Sequence, residues 1–260
     1  MGLVFVIMYA PIAVLILFSF NSTKSTGVFE GFSLRWYAEL FSSPDTFIAL
    51  RNTLILAASS ALIATVIGTG AAIGINAMKN KYVKGAISSV TNVPMMNPDI
   101  VTGISMMLLF VFIAGILSVT EILSFWTMLI AHVTFNIPYV ILSVLPKLRQ
   151  MDKHLPEAAL DLGCTPLQAF FKVELHSILP GIVTGAVMAF TLSLDDFVIS
   201  YFTAGSKFQT LPLMIYSMTK REVTPDMYAL STLIIVVIMA LLILSNFLGE
   251  KGDKKQSAKR

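Results

Sequence analysis

Three carboxylates stand in stretches of the sequence that are otherwise apolar. Asp99 lies in "NPDIVTGIS", and Asp195 and Asp196 lie together in "TLSLDDFVIS". An ionisable side chain inside a membrane-spanning helix costs at least about 2.5 to 3.5 kcal/mol, so each of these residues requires a specific role. A carboxylate at such a position can pair with a cation that crosses the membrane. These three residues therefore favour a cationic solute over an anionic one.

Small and polar residues surround the aspartate pair at helical spacing. They recur at i, i+4, i+7, i+11 and i+14, at Ala189, Ser193, Asp196, Ser200 and Thr203. On one continuous helix this pattern predicts a polar stripe, on which Asp196, with Ser193 and Ser200, lines a hydrated path. Asp195 falls on a different, mostly apolar face, where it could pair with a neighbouring subunit. The alternative is that both aspartates lie near the outer end of the helix and are simply hydrated.

Two other polar sites lie in apolar stretches. Asp99 follows Asn97 and Pro98, which can begin a half-helix whose positive end favours a carboxylate. Broken helices of this kind build sites in transporters, so a place on the path stands beside the simpler reading of a capped helix end. His132 and Asn136 lie one helical turn apart and are expected to make hydrogen bonds between helices.

Several chemistries have no basis in the sequence. It contains no Cys/His cluster with metal spacing and no nucleophile–base pair, and it lacks the G-x-x-x-x-G-K-[ST] motif of an ATP site. The glycines of "GTGAAIG" at residues 68 to 74 are expected to pack helices closely. We therefore expect no enzyme activity, no cofactor and no metal, and the single cysteine, Cys164, excludes an internal disulfide.

The elements that carry these residues are membrane helices. Hydrophobic residues make up 56% of the 260 residues and charged residues 13%, against about 45 to 50% and about 25% in soluble domains. The sequence predicts an all-α protein with six transmembrane helices, at Gly2–Phe20, Asn52–Met78, Ala86–Leu117, Leu123–Leu145, Ile178–Thr203 and Met227–Leu248.

Basic residues set the predicted orientation. Twelve of the 18 Lys and Arg residues fall in the loop after the second span, the loop between the fourth and fifth spans, and the C-terminal tail. The positive-inside rule places these segments and both termini in the cytoplasm. The net charge of +3 is thus a topology signal, with no indication of nucleic-acid binding.

The loop at about 146–177 has a pattern of its own. Its first half has an apolar face at i, i+3, i+4 and i+7, formed by Leu155, Ala158, Ala159 and Leu162. Asp152 can cap this helix, and Gly163 stands where a left-handed residue would end it. Thr165 and Gln168 then form a capping box for a second helix. This helix–glycine turn–helix unit either folds back onto the bundle or docks a cytoplasmic partner.

The same loop resembles a known motif. Glu157-Ala158-Ala159, then Gly163, and then Val173 and Leu175 resemble the EAA loop of ABC-importer permeases of the MetI-like superfamily. The resemblance implies that the loop couples the permease to an ATPase, through Glu157, Ala158, Ala159, Asp161 and Gly163. The sequence departs from the motif at His176, where the family usually has proline, so the helix is expected to run on toward Pro180 before it breaks.

Motifs along nearly the whole chain extend this resemblance. "GFSLRWYAEL", "NPDIVTGIS", "HVTFNIPYV", "TLSLDDFVIS" and "LPLMIYSM" together are similar to the PotC-type permeases of spermidine/putrescine importers. This implies a transmembrane permease domain at 1–250, a basic cytoplasmic tail at 251–260, and a place in a bacterial cell membrane. The implied partners are a second homologous permease, two copies of an ABC ATPase and an extracytoplasmic polyamine-binding protein. The lipid bilayer surrounds the permease. The alternatives are an importer for another small solute, a stand-alone secondary transporter and, least favoured, an integral-membrane enzyme.

The predicted orientation can be tested at Cys164. In intact cells a membrane-impermeant maleimide should not label this thiol, because the 146–177 loop faces the cytoplasm. Opening the membrane should allow the reaction. Rapid labelling of sealed, intact cells would show that the orientation is the reverse.

Overall fold

The computed structural model describes residues 2–23, 27–119, 122–152, 154–206, 208–220, 226–240 and 243. Over these residues the chain is helical and has no strand; an isolated bridge pairs Asn21 with Phe32. The predicted all-α class is confirmed. The basic tail at 251–260 lies outside the described residues.

The described helices are numbered in the order in which they occur along the chain. In chain order they are α1 Gly2–Phe18, α2 Arg35–Ser42, α3 Pro44–Ala77, α4 Lys81–Met96, α5 Asp99–Leu117, α6 Phe125–Gln150, α7 His154–Asp161, α8 Pro166–Ala169, α9 Leu175–Asp195, α10 Val198–Thr203, α11 Leu211–Thr219 and α12 Asp226–Ala240. A π-helical turn at Phe170–Glu174 joins α8 to α9 without a break.

Within the part of the chain that the structure describes, four helical segments are long and apolar enough to cross a membrane: α3, α5, α6 and the continuous helix Pro166–Asp195. The apolar helices α1 and α12 are shorter over their described residues. These lengths confirm a polytopic membrane protein, and the count of six spans stays a prediction.

The predicted third span, Ala86–Leu117, is two helices. Asn97 and Pro98 both have extended backbones, which separate α4 from α5. The physical reason is the proline, which disfavours the helical conformation of the residue before it. Only α5 is apolar enough to span, whereas α4 begins at Lys81 and buries none of its residues.

The predicted fifth span, Ile178–Thr203, is broken as well. The helix runs past His176 and Pro180, so the expected break near Pro180 is wrong. It ends instead at Asp195, where Asp196 takes an extended backbone before α10 begins at Val198.

The chain forms two compact units. One contains Met1–Ile55 and Ser206–Ala240, and its core is a cluster of Leu40, Ala49, Leu211 and Leu230. The other contains Leu56–Gly205, so the boundary between the units falls within α3. A single transmembrane domain at 1–250 stays a prediction.

Helix α6 is the centre of the Leu56–Gly205 unit. It packs most extensively against α9, and it also contacts α10, α4 and α5. Glycines allow the close approach: a Cβ added at Gly181 would lie 2.8 Å from the Ser143 carbonyl oxygen, and one at Gly68 would lie 2.8 Å from Val140. The packing role predicted for the "GTGAAIG" segment is confirmed at Gly68, whereas Gly70 and Gly74 face open space.

Candidate functional site

The break between α9 and α10 is organised by the Asp196 carboxylate. The backbone N–H groups of Ile199 and Ser200 donate to it, at 3.2 and 2.8 Å. These are amides of the first turn of α10, which have no partner within their own helix. Asp196 therefore satisfies the backbone that the break leaves open, and the adjacent positive helix end favours its negative charge.

His132 of α6 contacts both sides of this break. Its Nε2 atom lies 3.0 Å from the Ser200 hydroxyl and 3.4 Å from the Asp196 carboxylate. Its Nδ1 atom lies 3.1 Å from the hydroxyl of Ser193, on the last turns of α9. The imidazole is 1% exposed and the Asp196 side chain 8% exposed, so their interaction takes place out of contact with solvent.

Ser193 is the centre of the remaining contacts. Its hydroxyl lies 2.8 Å from the hydroxyl of Ser60 on α3, and the Asn136 side-chain amide donates to it at 2.7 Å. Four helices are thus linked through one buried group of polar side chains. We call this group the polar joint; its members are Ser60, His132, Asn136, Ser193, Asp196 and Ser200.

The stripe predicted on the fifth span faces protein. Ala189, Ser193, Ser200 and Thr203 are each 2% exposed or less, and the Asp196 side chain is nearly as buried. The continuous helical register assumed for this stripe is wrong, because the helix ends at Asp195. In this conformation the stripe packs helices together, and its place on a substrate path stays a prediction.

The other two aspartates are exposed. Asp195 is the last residue of α9, and Asp99 is the first residue of α5. Asn97 does not cap α5, since its amide donates instead to the Thr102 hydroxyl at 3.2 Å. Neither Asp195 nor Asp99 belongs to the polar joint, so the structure separates the two neighbouring aspartates into a buried and an accessible one.

Sequence reasoning gave His132 and Asn136 a hydrogen-bonding role between helices, and this is confirmed. It missed that His132 pairs with Asp196 and that Ser60 takes part. The spacing of His132 and Asn136 by one turn was the available signal; their partners are 57 to 68 residues away in sequence. Within the described ranges, no three His, Cys, Asp or Glu side chains come together in a way that could hold a metal ion.

The 146–177 loop has the predicted helix–turn–helix form. The His154 N–H donates to the Asp152 carboxylate at 3.0 Å, and α7 follows. Gly163 has a φ of +87°, the left-handed conformation expected of it. The N–H of Gly163 donates to the Leu160 carbonyl and that of Cys164 to the Ala159 carbonyl, the pair of bonds that defines a Schellman turn.

The second helix of the loop begins as predicted. The Gln168 N–H donates to the Thr165 hydroxyl at 3.4 Å, and the Thr165 N–H donates to the Gln168 side chain at 3.1 Å. These two bonds form the predicted capping box.

The loop presents apolar side chains to its surroundings. Ala159 is buried, but Leu162 is 87% exposed, Leu167 72% and Phe171 61%. Leu155, Glu157, Ala158 and Asp161 are exposed too. The predicted apolar face is therefore not folded back onto the bundle, and this exposure favours the docking interpretation of the loop.

The sequence and fold match known transport proteins. A family model described as "binding-protein-dependent transport system inner membrane component" matches residues 64–256. The putrescine transport system permease protein PotI of Escherichia coli K12 is 36% identical over 97% of this chain and 90% of its own length. The spermidine/putrescine transport system permease protein PotC of Haemophilus influenzae is 37% identical over 97% of this chain and 96% of its own length.

A solved structure shows the same fold at lower identity. It is the crystal structure of a bacterial alginate ABC transporter in complex with an alginate pentasaccharide-bound periplasmic protein. The TM-score is 0.71 at 15% identity, and the match covers 96% of this chain and 91% of the other. The fold of the chain is therefore that of an ABC-importer permease.

Proposed function

Because this chain belongs to the family of binding-protein-dependent transport system inner membrane components, we propose that it is the permease subunit of an ATP-driven importer for polyamines. The observation that carries the proposal is the identity of 36 to 37% to permeases named for putrescine and spermidine, over 97% of the chain. The intramembrane aspartates agree with a cationic solute, since a carboxylate can compensate an ammonium group in a low-dielectric environment.

The proposed assembly contains a second homologous permease, two copies of an ABC ATPase and an extracytoplasmic polyamine-binding protein. An ATPase has to come from another chain, because this sequence has no P-loop motif. A periplasmic partner is supported by the alginate transporter, which was solved with its loaded periplasmic protein. The termini and the 146–177 loop face the cytoplasm in this proposal, as the distribution of Lys and Arg indicates.

Coupling to the ATPase takes place at the 146–177 loop. Exposed Leu162, Leu167 and Phe171 supply an apolar surface that a cytoplasmic protein can cover. Glu157, Ala158, Ala159, Asp161 and Gly163 are the proposed contact residues. ATP binding would move this loop, and the continuous helix that begins at Pro166 would transmit the movement as far as Asp195.

The substrate path runs along the end of α9. We assign the direct contact with an ammonium group to Asp195, which is exposed at the end of its helix. The free carbonyl groups at a helix C-terminus are also negatively polarised, so they attract the same cation. Ser193, Asp196 and Ser200 form the wall behind it, and Asp99 is a second exposed carboxylate of the same path.

The function is tested by uptake into proteoliposomes that contain the complete transporter. Radiolabelled spermidine and putrescine should enter only when ATP and the loaded binding protein are both supplied. Uptake without ATP would identify a secondary transporter. Uptake of an anionic or neutral solute, with no competition by polyamines, would assign the importer to another substrate.

Coupling is tested at Gly163. Valine at this position should cost about 1 to 3 kcal/mol, because a branched side chain is strained at positive φ, and the turn should be distorted. Gly163→Asn is the matched control, since asparagine tolerates the left-handed conformation. We expect ATP hydrolysis stimulated by the loaded binding protein to fall in the valine variant and to stay near the parent's in the asparagine variant. Equal stimulation in both would argue against docking at this turn.

The path is tested by comparing two neighbouring substitutions. Asp195→Asn should lower spermidine uptake at unchanged membrane abundance, since a charge-assisted hydrogen bond to an ammonium group contributes about 1.5 to 3 kcal/mol. Asp196→Asn should lower both uptake and abundance, because its carboxylate accepts two backbone bonds and pairs with His132. Capture of spermidine by the isolated binding protein is the control. Parental uptake by Asp195→Asn, at matched expression and below saturation, would remove Asp195 from the path.

A further inference from the structure

One imidazole ring joins the two helices on either side of the α9–α10 break. The Nδ1 atom of His132 contacts Ser193 on α9, and its Nε2 atom contacts Ser200 on α10 and the Asp196 carboxylate between them. The two ring nitrogens are held in a rigid plane. Their contacts therefore define the relative position of the α9 end and the α10 start.

When the imidazole is neutral, the donor and acceptor roles of His132 and its neighbours are mutually compatible. If Nε2 carries the proton, it donates toward Ser200 and Asp196, and Nδ1 accepts from the Ser193 hydroxyl. Ser193 then uses its two lone pairs to accept from the Asn136 amide and the Ser60 hydroxyl. Ser193 thus uses all of its hydrogen-bonding capacity, and the Nε2 proton is shared between Ser200 and Asp196.

The far end of α10 is attached to the same helix as His132. The Thr127 hydroxyl, near the start of α6, lies 3.1 Å from the Thr203 carbonyl oxygen at the end of α10. The backbone of Leu123 leaves no room for a Cβ at Gly205, which follows α10. Helix α10 is thus held against α6 at both ends, while the end of α9 is joined to α6 at this level through the contacts of Ser193 with His132 and Asn136.

We propose that His132 is a positioning residue for the substrate path. By bridging α9 to α10 it sets the direction in which α9 ends, and so the place of the exposed Asp195 carboxylate. Asp196 belongs to the bridge, and Asp195 is the aspartate that meets the substrate's ammonium group. This inference rests on the proposed polyamine permease function.

Two conservative substitutions can each remove half of the bridge. An asparagine amide reaches about as far from the backbone as Nδ1, and a glutamine amide about as far as Nε2. His132→Asn should keep the contact with Ser193, and His132→Gln should keep those with Ser200 and Asp196. Neither side chain can bond to both helices.

The test measures spermidine uptake and ATP hydrolysis in proteoliposomes of the complete transporter with saturating loaded binding protein. Both variants should move at least about tenfold less spermidine per ATP hydrolysed, as expected when a binding group is misplaced by an ångström or so. ATP hydrolysis should change less than about twofold, because the coupling loop is untouched. Thr134→Val, an exposed position on the same helix, is the control and should match the parent in both measurements.

Two results would overturn the proposal. One is that both variants transport as much spermidine per ATP hydrolysed as the parent, which would mean that the bridge has no influence on the path. The other is an equal fall of uptake and ATP hydrolysis, which would show a general loss of structure.

If the single variants do not accumulate in the membrane, the His132→Asn/Asp196→Asn double variant is used instead. It removes the buried Asp196 carboxylate, which loses its partner when His132 is replaced. It should accumulate at least as well as Asp196→Asn alone and still show a low ratio of spermidine transported to ATP hydrolysed. A parental ratio, or a lower abundance than that of Asp196→Asn, would show that the polar joint only packs helices together. The Asp195→Asn variant separates this inference from the function proposed above. Normal uptake by Asp195→Asn, together with a low ratio of spermidine transported to ATP hydrolysed in the His132 variants, would support the role of the bridge and remove Asp195 from the path.

Discussion

The fold depends on one constraint, which is that backbone polar groups within a membrane have to find their partners inside the protein. A continuous helix meets this condition by itself, but a broken one does not. Where α9 stops and α10 begins, the Asp196 carboxylate accepts the open amides of α10. That carboxylate then needs a partner of its own, which is His132. The buried histidine and the serines around it follow from this single interruption.

The sequence predicted the features that depend on local backbone chemistry. The left-handed Gly163, the Thr165–Gln168 capping box and the Asp152 cap could each be read from a few consecutive residues, because turn and cap preferences act over one helical turn. The resemblance to permeases supplied the family. It also implied the coupling loop, whose exposed leucines agree with that role.

The assignment of the aspartates could not be predicted in the same way. A helical wheel assumes one register throughout, and the extended backbone at Asp196 changes the direction of every side chain after it. Two adjacent aspartates can end a helix because their carboxylates compete for backbone amides, but periodicity does not reveal this. The pairing of His132 with Asp196 joins residues 64 positions apart, so only the tertiary structure could show it. The fold gives no information on substrate charge: a transporter involved in the import of the acidic polysaccharide alginate shares it at a TM-score of 0.71.

In the proposed assembly, the exposed apolar side chains of the 146–177 loop also affect the permease before it binds an ATPase. Leu162, Leu167 and Phe171 are exposed on a folded, well-capped loop, so they would stay uncovered until that ATPase binds. An apolar surface of this kind is what chaperones and quality-control proteases recognise in orphan subunits. If the loop docks an ATPase as proposed, the same surface would also mark an unpaired permease for removal, and the amount of permease in the membrane would depend on the supply of its ATPase.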